Sequence, residues 1–412
     1  MGVQAICLSL GGTKLQVGAL TEKNGFVSSP EIVWRSEKTF QECMDDPSSQ
    51  RFCQALAWFI QEFLDQHGLS LAEVGIVGVP FPGPHTGRLW FSNNLTAAFR
   101  NGVDLEAELS VALSRLSSAS LPPRVKVVFD AQCDAGGELY HPLGRLQGKG
   151  DSEGANATVL NIATGIAAGF VENNQVLIED ADFKRVVDVR YDAGAGQLGR
   201  HLWYFHDERL WRYCFLPFGQ TPVIKDATRM TDRLSGPALA GRLLYRLGQS
   251  GLLESDDWVS SDVPFSVISS VHKPISGKNL ETDCAEIACM IRASQLPLAT
   301  ALLHWADERM ASSEPSRFGY VLQAFCQEVS RELAAALNTW LVAPGWRKFG
   351  RRIVLTGGVG IWFLASTDYS ADPSHAFPKL LEAELPPGCQ VWRSRLSSAT
   401  EREIRLFVHL ND

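Results

Sequence analysis

The stretch that most constrains this chain is its first, ICLSLGGTKLQVGAL, Ile6 to Leu20, in which two apolar runs meet at Gly11-Gly12-Thr13. Runs of this length broken by a diglycine read as strand, tight turn, strand. The turn has two readings. Glycines let backbone N–H groups approach an anion and Thr13 adds a donor, so GGTK can cradle a phosphate; taken alone it is also a plain hairpin turn. The pattern returns in mid-chain. ATVLNIATGIAAGFVENNQVLIE, from Ala157, reads as strand, small-residue turn at Thr164-Gly165, strand, Asn-Asn turn, strand. Two hairpins with Gly/Thr-rich tips predict a duplicated α/β fold with facing phosphate loops.

Between them the periods alternate. GFVSSPEIVW reads as a third strand, and SSQRFCQALAWFIQEFLDQHG places Phe52, Leu56, Phe59, Ile60 and Phe63 at helical spacing before Gly68 stops it. VGIVGVP is a buried strand, DLEAELSVALSRL a helix with Asp104 as N-cap, and VKVVFD a second buried strand. After the second hairpin come helical stretches, PLATALLHWADERMA and GYVLQAFCQEVSRELAAALNTWL, then a strand into another diglycine in RRIVLTGGVG. The segment SGLLESDDWVSSDVPFSVISSVHKPISGKN has no clear period and reads as a surface excursion.

Bulk properties exclude more than they assign. The 412 residues suffice for two or three domains. With 45% hydrophobic and 20% charged residues and a net charge of −8, general nucleic-acid binding is not expected. No segment reaches the roughly 18 to 20 apolar residues of a membrane span, and no basic region precedes the first apolar run, so neither a membrane protein nor a signal peptide is expected. Nine cysteines without a CxxC pair fit a reducing compartment, hence a cytoplasmic protein without structural zinc.

GGTK, VGVPFPGP, VVFDAQCDAGGE, NIATGIAAG, GAGQLGR, LSGPALAGRL and VLTGGVG occur in one fixed order from Val3 to about Val408. In that order they resemble the ROK family of sugar kinases and sugar-responsive repressors, within the actin-like ATPase superfamily. The resemblance implies two actin-like (ribonuclease H-like) α/β domains with an interdomain cleft. The expected division is 1–128, completed by a C-terminal helix over 397–412, and 129–396, which carries nucleotide and dimerisation elements. It implies ATP with Mg²⁺, a sugar-like small-molecule substrate, a homodimer, and ATP phosphates held by Gly11, Gly12, Thr13, Lys14, Thr164 and Gly165, with Gly357 and Gly358 at the adenosine. Asp130, at the end of a buried strand, would be the catalytic base; from spacing alone it is also a helix cap. Glu138 matches a family Glu with a structural role. Asn94 and Gln132 would contact the sugar, Asn94 being otherwise a loop Asx-turn.

Four departures qualify this. Ser9 stands where the family has an Asp that helps organise hydrated Mg²⁺, so activity is slower or another carboxylate substitutes. Phe129 replaces an Asn before the base, giving an apolar wall. Gln197 and Arg200 replace a sugar-reading Glu and His. The zinc loop is absent and Thr231, beside Asp232, replaces a sugar-binding Glu. The pocket becomes more positive, which points to an anionic or otherwise modified sugar or cyclic polyol; the alternative is that Arg200 pairs with Asp192 or another carboxylate and never meets ligand. Two functions compete with a kinase: a catalytically weak sugar- or nucleotide-binding sensor, and acyl-phosphate formation on a carboxylate acceptor. With the first strand at about Val3, no DNA-binding helix-turn-helix is expected ahead of it.

Overall fold

The computed structural model describes residues 2–178, 201–250, 317–341, 349–358 and 377–411, except for 12–13, 24, 35–36, 84, 93–94, 118–121, 149–155, 164, 208–209, 216–227 and 230–233. It divides into two compact units, Met1–Val159 with Gly169–Gly196 and Arg395–Asp412, and Leu160–Ala168 with Gln197–Ser394.

The first unit opens with the expected hairpin, β1 (Val3–Leu10) and β2 (Lys14–Thr21). The third strand is two pieces, β3 (Gly25–Ser28) and β4 (Ile32–Val33), both paired with β2. Pro30 lies between them and has no N–H to continue a ladder. A short α1 (Lys38–Gln41) leads to α2 (Ser49–Gln66), whose N-terminus is capped by Ser48 and which ends before Gly68 at φ +65°. Strand β5 (Val74–Phe81) pairs in parallel with β1, and a small ribbon, β6 (His85–Thr86) and β7 (Leu89–Trp90), follows. Helix α3 (Leu105–Leu116) carries the predicted cap, with the Asp104 carboxylate accepting from Ala107 N–H at 3.1 Å. Strand β8 (Arg124–Phe129) then pairs in parallel with β5 and runs directly into α4 (Asp130–Tyr140). The sheet order is β3-β2-β1-β5-β8. Its parallel centre, β1, β5 and β8, is apolar on both faces, as helices on both sides require.

The second hairpin is β9 (Ala157–Ile162) and β10 (Ile166–Glu172), and Asn173-Asn174 turns with both φ positive into β11 (Gln175–Val176). A hairpin absent from the sequence reading follows: β12 (His201–Asp207) and β13 (Leu210–Phe215), joined at the β12 edge by β14 (Thr228–Arg229). Helices α5 (Gly236–Gln249) and α6 (Arg317–Leu341) are tied by Arg242, which bonds Glu328 at 2.6 Å and Glu332 at 2.9 Å. Strand β15 (Arg352–Thr356), α7 (Phe377–Glu384) and β16 (Gln390–Arg393) follow, and the second sheet runs β11-β10-β9-β15-β16. The segments 251–316 and 359–376, with the aperiodic stretch and PLATALLHWADERMA, lie outside the described residues.

The last helix, α8 (Ala399–Asn411), returns to the first unit and packs on β1, β5 and α4. Small residues make the approach possible. A side chain at Gly78 would meet the Phe407 ring at 2.1 Å, and one at Gly137 would meet Arg402 Cγ at 2.1 Å and its carbonyl at 2.6 Å. No helix among the described residues is long and apolar enough to cross a membrane.

Candidate active site

The first turn is closed by Gly11 N–H donating to the Lys14 carbonyl at 2.8 Å, a two-residue connection. The Gly11 carbonyl accepts from the Trp34 indole at 3.1 Å. Lys14 is half-exposed and its ammonium pairs with Glu31 at 2.5 Å, a surface pair worth little and easily exchanged. Gly12 and Thr13 lie outside the described residues. In the second hairpin, Ala163 N–H donates to the Gly165 carbonyl at 2.9 Å, and the Ala163 carbonyl accepts from Gly236 N–H at 2.7 Å, where α5 begins. A side chain at Gly165 would meet nothing within 4 Å; Thr164 is outside the described residues. Gly357 has φ +81°, and a Cβ there would lie 2.5 Å from Asn161 Oδ1 and 2.6 Å from the Ile162 carbonyl, so only glycine fits at the end of β15. Gly358 is exposed, and Asn94, Gln197, Arg200, Asp192, Thr231 and Asp232 are not among the described residues.

Asp130 is the first residue of α4, at the C-terminal edge of the parallel strands where open α/β sheets present ligands. The cap position belongs to Phe129, which offers no side-chain bond. Asp130 bonds instead to the adjacent Ala131 N–H, Oδ1 accepting at 2.7 Å. The residue is half-buried. Burial pushes its carboxyl well above the ordinary carboxylate value, and the nearby Asp134 and Glu403 charges push in the same direction, against the Ala131 bond. Phe129 is buried and pairs in register with Phe81 of β5. Gln132 is buried on the same helix; two residues from Asp130, it points to a different side of α4.

One and two turns further, α4 carries Asp134 and Glu138, both fully buried. Asp134 Oδ1 accepts from Arg402 Nε at 2.5 Å, and Arg402 Nη1 donates to the Leu396 carbonyl at 2.8 Å. Glu138 accepts from Arg145 N–H at 2.9 Å and so braces the loop after α4. Beside Arg402, the buried Glu403 carboxyl is hydrogen-bonded by the Ser9 side chain at the end of β1, with Cys7 Sγ 3.9 Å from it. Burial, then Asp134, raises Glu403 to about 7, opposed by Arg402 and by the Ser9 and Cys7 bonds. Position 9, neutral in sequence, therefore has a carboxylate on it, supplied by α8. Sequence reasoning missed Glu403, since nothing local distinguishes it from the other charges of an amphipathic helix.

Among the described residues no group of three or more His, Cys, Asp or Glu side chains could hold a metal ion. The buried carboxylates are engaged, Asp134 with Arg402 and Glu403 with Ser9. A half-buried carboxylate of raised proton affinity at a strand end can accept a proton from a hydroxyl group.

No protein-family profile matches the chain, and no curated protein matches it. Solved structures do. A ROK family glucokinase from Streptomyces griseus, in complex with glucose and AMPPNP, is 16% identical, with 98% of each chain covered and a TM-score of 0.53. A glucokinase from Parabacteroides distasonis is 16% identical, with 98% of this chain and 97% of that one covered, TM-score 0.52. A ROK family transcriptional regulator, a homologue of the E. coli MLC protein, is 14% identical, with 98% of this chain and 78% of that one covered, TM-score 0.55. At these identities the likeness establishes the fold alone: a mixed α/β chain folded, over nearly its whole length, like the ROK family structures.

Proposed function

We propose that this protein is an ATP-dependent phosphotransferase acting on a hydroxyl of a sugar or sugar-like polyol, with Asp130 as general base. One observation carries the reading: a half-buried carboxylate of raised proton affinity stands at the edge of the parallel strands in a chain with the fold of ROK glucokinases. As the acceptor oxygen forms its bond to the γ-phosphorus, its proton passes to Asp130, the bond from phosphorus to the β,γ-bridging oxygen breaks, and ADP leaves. The glycine turns at Gly11–Lys14, Thr164-Gly165 and Gly357-Gly358 would hold the nucleotide. Mg²⁺ would arrive on the nucleotide phosphates and offset their charge.

The substrate proposed is an anionic or otherwise modified sugar, on the strength of Arg200, Gln197 and the Phe129 wall. A second reading, a catalytically weak sugar- or nucleotide-binding sensor, is favoured by Ser9, whose hydroxyl is already bonded to Glu403. The experiment is ADP release with ATP and Mg²⁺ over neutral, amino, acidic and deoxy sugars and cyclitols, with wild type and Asp130→Asn. Turnover on one acceptor, reduced about 10²- to 10⁴-fold in the variant, supports the kinase. Binding of ATP or sugar without turnover on any acceptor supports the sensor.

A further inference from the structure

The first turn has a second fixed point that the phosphotransferase reading does not use. Strand β4 pairs with β2 at Lys14↔Val33 and Leu15↔Ile32, which sets the next residue, Trp34, beside the turn. Trp34 is fully buried. Its ring stands edge-on to Phe40 and Phe52, with centroids 6.1 and 5.9 Å away, and Phe52 meets Phe99 at 5.6 Å. From this aromatic core the indole N–H reaches the Gly11 carbonyl at 3.1 Å, while Gly11 N–H is held by Lys14 at 2.8 Å.

A phenylalanine would fill most of this volume but carries no donor. The donor matters because of what it holds. A diglycine turn has the widest backbone freedom of any sequence, and a peptide unit is planar, so fixing the carbonyl fixes the plane leading into the turn. We propose that Trp34 is a positioning residue for the first phosphate loop: its indole N–H, anchored in the aromatic core, clasps the Gly11 carbonyl and pre-orders the turn that receives nucleotide phosphates. This rests on the phosphotransferase reading. Pre-ordering reduces the entropy lost on binding, so its removal weakens nucleotide binding and leaves the acceptor side and the chemical step unchanged.

The test uses the full chain as wild type, Trp34→Phe and the packing control Phe52→Leu. ATP affinity is measured by calorimetry in the presence of Mg²⁺, kcat and both KM values by ADP release, and Tm for each protein. Trp34→Phe is expected to weaken ATP binding and raise its KM about 3- to 10-fold, the loss of one hydrogen bond, with kcat and acceptor KM within about twofold. Phe52→Leu is expected to lower Tm with ATP affinity retained. Should Trp34→Phe not fold, the benzothienyl isostere at position 34, which keeps the ring and lacks the N–H, gives the same readout. Unchanged ATP affinity without the N–H, or equal losses in both variants, overturns the proposal alone. Wild type that binds no ATP overturns it together with the phosphotransferase reading.

Discussion

Arg402→Met removes a guanidinium that faces Asp134 inside the first unit. The two side chains are 2% and 0% exposed and meet at 2.5 Å, so neither is compensated by water. Breaking such a pair leaves a buried carboxylate without its cation, which costs about 3–5 kcal/mol. The Leu396 carbonyl loses its donor as well. In a unit of roughly 200 residues each kcal/mol moves Tm by about 2–4 °C, so the transition of this unit should fall by about 6–20 °C. The double variant Arg402→Met, Asp134→Asn should recover most of that loss, since neutral residues of similar volume often replace a buried pair at little cost. Calorimetric scans of the wild type, both single variants and the double variant close the cycle. A fall below about 2 °C in Arg402→Met, or a double variant no more stable than it, would refute the claim that α8 is locked to α4 by this charge pair.

Glu403 supplies a prediction whose sign follows from linkage. Its folded-state proton affinity is raised, to about 7 from an ordinary 4.5. Between those values the unfolded chain has released the proton while the folded chain keeps it, so stability falls as pH rises through the window, by roughly 3 kcal/mol in all. Glu403→Gln cannot ionise; its Tm should vary less between pH 4.5 and 7 and exceed that of wild type at pH 8, and parallel pH dependences would count against the assignment. The same substitution removes one of the charges raising Asp130, so the acid limb of the kcat/KM profile should move to lower pH; an unmoved limb would separate the two carboxylates. Gly169→Ala would place a methyl 2.0 Å from the Ala131 carbonyl, at the start of α4; a loss of Tm with a larger loss of turnover is expected, and wild-type values for both would show that the contact yields freely.

Much of the fold was legible because its signals are local. Both hairpins, the Asp104 cap, the stop at Gly68 and the turn at Asn173-Asn174 depend on residues within a few positions of one another. The hairpin β12–β13 was equally local, and HLWYFHDERLWRYCF carries the aromatic bias of strands around a polar turn. Its signal directly abuts the motif GAGQLGR, which ends at Arg200, and no turn residue separates the two. The break of the third strand around Pro30 follows from a residue plainly in view.

The site was legible only in part, for a physical reason that bears on its chemistry. Asp130 announces itself by standing at a strand end. What sets its proton affinity does so only in part: burial comes first and Asp134 lies one turn along α4, but Glu403 comes from a helix about 270 residues away, brought onto α4 by contacts at Gly136 and Gly137. Ser9 shows the consequence. Read along the chain, it is a lost carboxylate at the first phosphate loop; in the fold, its hydroxyl is bonded to a buried carboxyl from α8. Position 9 and position 403 therefore have to be judged as one unit. A substitution at either alters the charge at the end of β1, and through it the pH at which Asp130 can take a proton.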